Sequence, residues 1–147
     1  MGVGEPVDVD FQKALDGVPH QRLLRKLHRQ GIRGQVLLWS EYWWRTRKRR
    51  VAVSGQFSPW REEKSGVPLG SVLGPVLFNL PINDLETGIS SEVAIFADDT
   101  KLSRLVKTRR DCEELQKDLS KLGEWVAKWQ MCFSMRKCKV MHIGAIK

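Results

Sequence analysis

The sequence predicts an α+β fold in which an antiparallel sheet carries an acidic hairpin and helices pack against it. Three observations point there. Val93, Ile95 and Ala97 alternate before Asp98-Asp99, and Leu102 follows, a pattern of strand, acidic turn and strand. Downstream, Leu115, Leu119, Leu122, Val126 and Trp129 share one helical face. Hairpin and helix signals are interleaved along the rest of the chain.

The elements follow in order. Val7 and Val9 alternate with acids and predict a short strand ending near Phe11. Pro19 precedes Leu23, Leu24 and Leu27 at helical spacing, and Gly31 stops that helix. Val36 to Trp44 reads as a second helix. Val51 and Val53, then Phe57 and Trp60, flank Ser54-Gly55 and predict a hairpin. Ser65 to Gly70, with Gly66, Pro68 and Gly70, is a turn-rich loop. The mostly apolar stretch from Val72 to Leu85 predicts a buried helix with Pro75 near its start. Thr108 and Asp111 have capping-box spacing at the head of the long amphipathic helix. A last strand is expected over Lys139 to Ile143.

The 147 residues suit one domain with a real core, at 41% hydrophobic and 29% charged. No apolar run approaches the roughly 18–20 residues of a membrane helix. Met1 to Glu5 lacks the pattern of a secretion signal. An intracellular protein, nuclear or cytoplasmic and without membrane contact, is the expectation. Cys112, Cys132 and Cys138 are odd in number and form no Cys-x-x-Cys pair, which argues against a disulfide framework. They suit packing; a zinc site from Cys132, Cys138 and His142 is the alternative.

Net charge is +8, an excess that favours polyanionic partners through counterion release. Arg45, Arg47, Lys48, Arg49 and Arg50 crowd together directly after Trp39, Tyr42, Trp43 and Trp44. Cations beside aromatics suit a nucleic-acid groove, where phosphates meet charge and bases stack. A buried aromatic helix face with a solvated basic end, or a nuclear-localisation run, would look the same.

Three carboxylates draw attention: Asp10 at a strand end, and Asp98 and Asp99 in the later hairpin. Asp-Asp in a turn is common because Asp hydrogen-bonds its own backbone there. A second acidic strand end changes the reading. Mg²⁺ takes one or two carboxylates plus phosphates and water, and a pair of such ions serves phosphoryl transfer. Were the two strands neighbours, Asp10 and Asp98 would share the ions.

Four segments carry a resemblance. Asp10-Phe11-Gln12-Lys13-Ala14-Leu15-Asp16 is similar to DFQKAFD, the first palm motif of the reverse transcriptases of non-LTR retrotransposons. The run from Ser65 to Pro75 resembles their SGVPQGSVLGP loop, and Ile82 to Leu85 the end of the helix that follows. Phe96-Ala97-Asp98-Asp99 is similar to their FADD turn, and Lys137 to Gly144 to their lysine-bearing strand. Val18 to Leu24 and Trp125 to Met131 resemble jockey-like, LINE-class spacers. On these motifs the chain is identified as a reverse transcriptase palm-like core.

The resemblance implies RNA-directed DNA polymerase chemistry. A DNA primer 3′-hydroxyl, on an RNA template, attacks the α-phosphorus of a dNTP and pyrophosphate leaves. Asp10 and Asp98 would hold two Mg²⁺ (or Mn²⁺) ions, with Asp99 in support and the Phe11 backbone close by. Leu15 would lie under the sugar. Gly66, Leu69 and Gly70 would line the template and incoming base, and Gly66 and Gly70 would allow close approach. Lys137 would be an acid or a positive charge beside pyrophosphate, or a plain surface lysine. Residues 1–147 would be a partial domain, the palm core, with upstream fingers, thumb and endonuclease absent. Weak or lost activity is the expectation; a basic nucleic-acid-binding module or an inactive relic is the alternative.

The pattern is broken at five places. The strand before Asp10 is short, which puts its register in question. Leu15 stands for an aromatic and Leu69 for a glutamine. Pro81 stands for a tyrosine in a helix interior, where proline costs about 3 kcal/mol. Ser134-Met135-Arg136 replaces Asn-x-Asp before Lys137.

Overall fold

The computed structural model describes residues 3–68 and 70–144; Leu69 lies outside them. Four strands make the central sheet: β2 (Val7–Asp10), β7 (Glu92–Phe96), β8 (Asp99–Ser103) and β10 (Lys139–Val140), in the order β10-β2-β8-β7 and antiparallel at each pairing. β1 (Val3–Gly4) pairs with β9 (Leu105–Val106), and two small ribbons form from β3 (Lys48–Arg49) with β6 (Arg61–Glu62) and β4 (Ala52–Val53) with β5 (Gln56–Phe57). The helices are α1 (Ala14–Gly17), α2 (His20–Arg29), α3 (Gln35–Arg45), α4 (Leu73–Ile82) and α5 (Arg109–Trp129). No helix among the described residues is long and apolar enough to cross a membrane.

The period-2 pattern decides which face is buried. Val7 and Val9 of β2 are buried, as are Thr100 and Leu102 of β8. The register pairs Val7 with Leu102 and Val9 with Thr100. The four therefore point to the same side, into a core that includes Phe11, Leu122, Trp125 and Val126. Asp8, Asp10, Asp99 and Lys101 are left on the other face. The short strand before Asp10 keeps its alternation.

Ser54 (φ 48°) and Gly55 (φ 78°) form the two-residue β4–β5 turn expected there. The stretch around α4 is buried on one face alone. Gly74, Leu77, Phe78, Pro81 and Ile82 are inside, while Val72, Leu73 and Val76 are exposed. Pro81 lies in the last turn and not mid-helix. Beyond it the chain is closed by Asn83 N–H to Asn79 O (3.0 Å), Asp84 N–H to Pro81 O (3.1 Å) and Leu85 N–H to Ile82 O (2.9 Å). Its missing N–H thus interrupts a ladder that is ending. Ahead of the helix, the Ser71 hydroxyl donates to Pro68 O (2.8 Å) and accepts from Gly74 N–H (3.0 Å).

α5 opens on the expected capping box: Thr108 Oγ1 accepts from Asp111 N–H (3.3 Å) and Asp111 Oδ2 from Thr108 N–H (2.8 Å). Hydrogen bonds from the Lys107 backbone and from Thr108 hold the Asp111 carboxyl below its usual range. Leu115, Leu122, Val126 and Trp129 are buried as the spacing predicts, with Leu119 half-buried.

Asp118 shares that buried face, which hydrophobic spacing did not anticipate. It is 1% exposed. Its Oδ2 accepts from Ser90 N–H (3.1 Å) and Oγ (2.9 Å), and from Ser91 N–H (2.8 Å) and Oγ (2.8 Å). Lys121 Nζ lies 3.1 Å and Arg104 Nη1 3.6 Å from the carboxylate. Both approaches to the β7–β8 hairpin are thereby tied to α5. Burial opposes the charge, but the Ser91 hydroxyl, Lys121, the Ser90 hydroxyl and the Ser91 N–H outweigh it and hold the carboxyl far below the usual range.

Asp118→Asn should therefore cost about 2–4 kcal/mol in urea unfolding, because a neutral amide leaves Lys121 and Arg104 without their counter-charge and puts a donor where one carboxylate oxygen accepted. The folded pKa is depressed, so this stability is present above the unfolded carboxylate value of about 4 and is lost as pH falls through the folded one. Acid titration of the wild type should show that loss, and the Asn variant should lack it.

Candidate metal and nucleotide site

β2 ends at Asp10 and β8 begins at Asp99, and the two are direct partners across the antiparallel pair. Opposed residues in such a pair put their side chains on one face with Cβ atoms about 4.5–5.5 Å apart. Asp98 lies in the adjoining turn with Ala97, a non-glycine residue at φ 55°. The sequence pattern puts Ala97 on a strand and both aspartates in the turn. The structure moves the turn one residue upstream, so that Asp99 is a strand residue. Like charges placed opposite one another destabilise a sheet, and a left-handed non-glycine turn residue adds backbone strain. Both costs fall at one hairpin.

A cavity of about 540 Å³ opens on this face, lined among others by Asp10, Phe96, Asp99, Lys101, Lys137 and Lys139. Asp98 is not among its lining residues. Lys137 Nζ lies 3.4 and 3.3 Å from the two Asp10 carboxylate oxygens, and Asp8 pairs with Lys101 at 3.4 Å. Asp98 and Asp99 have no ion-pair partner among the described residues.

Phe11 is buried against Trp125 and Phe133, with ring centroids 5.9 and 5.3 Å away. Its bridge to Phe133 is flanked by Gln12 N–H to Cys132 O (2.8 Å) and Ser134 N–H to Asp10 O (2.8 Å). Phe11 is thus the non-hydrogen-bonded member, and its own carbonyl turns to the opposite edge, along β8.

The donor set can be tested against a metal. Among the described residues no three His, Cys, Asp or Glu side chains form a metal cage. Two strand ends instead offer carboxylate oxygens to a shared space. That suits a hard cation such as Mg²⁺, which completes its shell with phosphates and water, and does not suit zinc. Cys132, Cys138 and His142 form no cluster; His142 Nδ1 sits 3.2 Å from Glu5. Packing explains only the half-buried Cys138, since Cys112 and Cys132 are exposed.

The loop residues behave differently from expectation. Gly66 (φ +97°) is buried, and a Cβ there would lie 2.9 Å from Asp16 Cα and 3.0 Å from Asp16 O. Its close approach is to the chain's own α1, not to an open surface. Val67 N–H donates to Leu15 O (2.7 Å) and His20 Nε2 lies 2.8 Å from Gly66 O. Burial lowers the His20 pKa, opposed by that hydrogen bond. Leu15 packs half-buried on the core. Gly70 (φ +76°) is exposed, with open space about it. None of these residues lines the cavity.

The basic run separates into three kinds. Arg47 pairs with Glu63 at 2.9 Å. Arg50 lies over the rings of Phe57 and Trp60, 3.9 and 4.6 Å from their centroids. Arg45 reaches Glu41 at 3.5 Å while mostly exposed, and Lys48 and Arg49 are exposed on β3. Of the preceding aromatics only Trp44 is buried; Trp39 stacks on Trp43 at 5.2 Å and is about half exposed.

The ion pair on Asp10 should compete with a cation. Exposed pairs contribute about 0.2–1 kcal/mol. Lys137→Met should therefore tighten Mn²⁺ binding by roughly 1.4- to 5-fold, while Asp10→Asn should weaken it. Titration of free Mn²⁺ by its paramagnetic resonance signal reads both.

Residues 6–145 match the family model described as reverse transcriptase (RNA-dependent DNA polymerase). The chain is 32% identical over 152 residues to the RNA-directed DNA polymerase from mobile element jockey of Drosophila funebris, covering 95% of this chain and 16% of that protein. The Drosophila melanogaster counterpart is 31% identical over 139 residues, covering 88% and 15%. The chain thus spans about one-sixth of the length of these relatives. Among solved structures it is similar to Candida tropicalis telomerase in complex with the TWJ fragment of telomeric RNA, with a TM-score of 0.68 at 12% identity over 97% of this chain and 26% of that one. The last likeness speaks to fold alone, and agrees with the palm-like α+β core. By sequence and fold together, the chain belongs to the reverse transcriptase (RNA-dependent DNA polymerase) family, on the non-LTR retrotransposon side represented by jockey.

Proposed function

We propose that this chain carries the nucleotidyl-transfer site of an RNA-directed DNA polymerase. The observation that carries the reading is the opposed pair Asp10 and Asp99 on the open sheet face, with Asp98 in the adjoining turn. The family generally uses divalent metal ions. Here Asp10 and Asp98, with Asp99 in support, would hold Mg²⁺ or Mn²⁺, which would neutralise charge building on the transferring phosphoryl group.

The chain's own groups have distinct tasks. The carboxylates gather negative charge at two strand ends held by one register. The Phe11 carbonyl adds an oxygen along the β8 edge. Lys137, two-thirds exposed, would meet the pyrophosphate of a dNTP or give it a proton. The reaction joins a primer 3′-hydroxyl to the α-phosphorus on an RNA template, and pyrophosphate leaves. Catalysis of this kind rests on positioning. A cavity this open, with Lys137 resting on Asp10, supports weak activity for the chain alone.

Primer extension on an RNA template with Mg²⁺ or Mn²⁺ tests the proposal. Trace extension is expected, and it should vanish in Asp10→Asn and in Asp98→Asn. Extension indifferent to both substitutions would remove these carboxylates from the chemistry.

A second reading, nucleic-acid binding without catalysis, is favoured by the exposed cations Lys48 and Arg49 of β3, followed by Arg50 over the exposed rings of Phe57 and Trp60. Lys48→Gln with Arg49→Gln should flatten the dependence of log affinity on log salt by about 1.4 for a single strand, at roughly 0.7 per phosphate. Arg47→Gln should leave the slope unchanged, because Glu63 already holds that charge. Filter binding of a labelled oligonucleotide across a salt series checks both.

A further inference from the structure

We infer that a second contact for the phosphate backbone of a nucleic-acid strand lies between α2 and α5. It is separate from the carboxylate cavity and from the β3 cations, and it rests on the reading that the chain binds nucleic acid. Arg22, Arg25, Lys26 and Arg29 recur about once per turn of α2, whose opposite face buries Leu23 and Leu27. Lys128 of α5 faces them across a cavity of about 170 Å³, with the Trp129 ring as its apolar wall. The only acid lining it is Asp84. Asp84 is already occupied, since Lys26 Nζ lies 2.5 and 2.6 Å from its two oxygens.

Arg22, Arg25, Arg29 and Lys128 therefore have no ion-pair partner among the described residues. Folding alone does not favour gathering four uncompensated cations about one hollow, since like charges repel. A row of anions does. From Arg22 to Arg29 the helix rises about 10 Å, a length that matches a run of phosphates better than one small anion. Arginine forks pair with phosphate oxygens two at a time. Backbone contacts of this kind hold a strand in place without reading its sequence.

The test is binding of a labelled single-stranded RNA to the full chain over a salt series. Replacing Arg22, Arg25 and Arg29 together by Gln should flatten the log–log slope by about 2, at roughly 0.7 per phosphate. Since Arg22 is partly buried, Lys128→Glu supplies a variant on the other helix, and it should weaken binding more than Arg110→Glu, an equal charge change at the far end of α5. Folding is checked by thermal melting. If wild type does not bind RNA, both this inference and the nucleic-acid reading fall. If wild type binds and the triple variant keeps its slope, or Lys128→Glu does no more than Arg110→Glu, this contact alone is overturned. Selective displacement by millimolar inorganic phosphate at constant ionic strength would make the hollow a single-anion pocket and overturn the backbone assignment.

Discussion

The antiparallel pairing of β2 with β8 is the constraint on which the rest of the molecule depends. Val7 and Val9 face inward opposite Leu102 and Thr100, and the alternation of a strand then leaves Asp8, Asp10, Asp99 and Lys101 no choice but the outer face. A slip of one residue would bury the aspartates and expose the valines. Burying ionised carboxylates without partners costs far more than the strand could recover. The hydrophobic effect, acting on Val7, Val9 and Leu102, thus sets which face carries the acids. The same pairing sets Asp10 and Asp99 opposite one another, an arrangement unfavourable to the sheet by itself. Lys137 offsets part of that repulsion from a turn that follows α5 and precedes β10.

Register fixes direction, but the hairpin also needs a position. Here the decisive group is polar. Asp118 sits among Leu115, Leu122 and Trp125 on α5 and receives donors from Ser90 and Ser91, just before β7, while Arg104, just after β8, reaches the same oxygen. One carboxylate therefore clamps both strand ends remote from the acidic turn. A fully supplied polar cluster of this sort tolerates burial because each donor is matched. An apolar residue could fill the volume, yet it would leave the Ser90 and Ser91 amides unpaired. Specificity of hairpin placement is bought with a charge in the core.

How much of this was legible in the sequence follows from the range of the forces. Local signals read well: the Thr108–Asp111 box, the Ser54-Gly55 turn and the helical spacing of α2, α3 and α5 depend on neighbours a few residues apart. The motifs named the acids, since residue identity survives where geometry is demanding. Longer-range facts did not show. Asp118 has no local signal for its role, which needs Ser90 and Ser91 beside it. Gly66 reads as a point of close approach to template and incoming base, yet its lack of a Cβ is used against Asp16. Pro81 reads as a helix breaker until the helix is seen to end one residue later. Alternation continues through Ala97, so the sequence pattern carries the strand one residue past its end at Phe96. Arg47 reads as one of five equivalent cations, and only folding brings Glu63 to it.

That last distinction governs how the net charge of +8 can act. A charge spent on an internal acid does little for a polyanion, because releasing it would strand its partner. Arg47 with Glu63, Lys26 with Asp84 and Arg104 with Asp118 are committed in this way. Lys48 and Arg49 on β3, and Arg22, Arg25, Arg29 and Lys128 between α2 and α5, are not. These six cations fall into two groups on different elements, and neither group lines the carboxylate cavity. Within that cavity lysines and aspartates interleave, so its field is mixed and its attraction for a strand is small. On the proposed reading, attraction and chemistry would thus fall to different surfaces of this fold. Placement of the carboxylates can loosen without changing the charge of the two basic surfaces, so binding to a backbone can persist after the demanding geometry of transfer is lost.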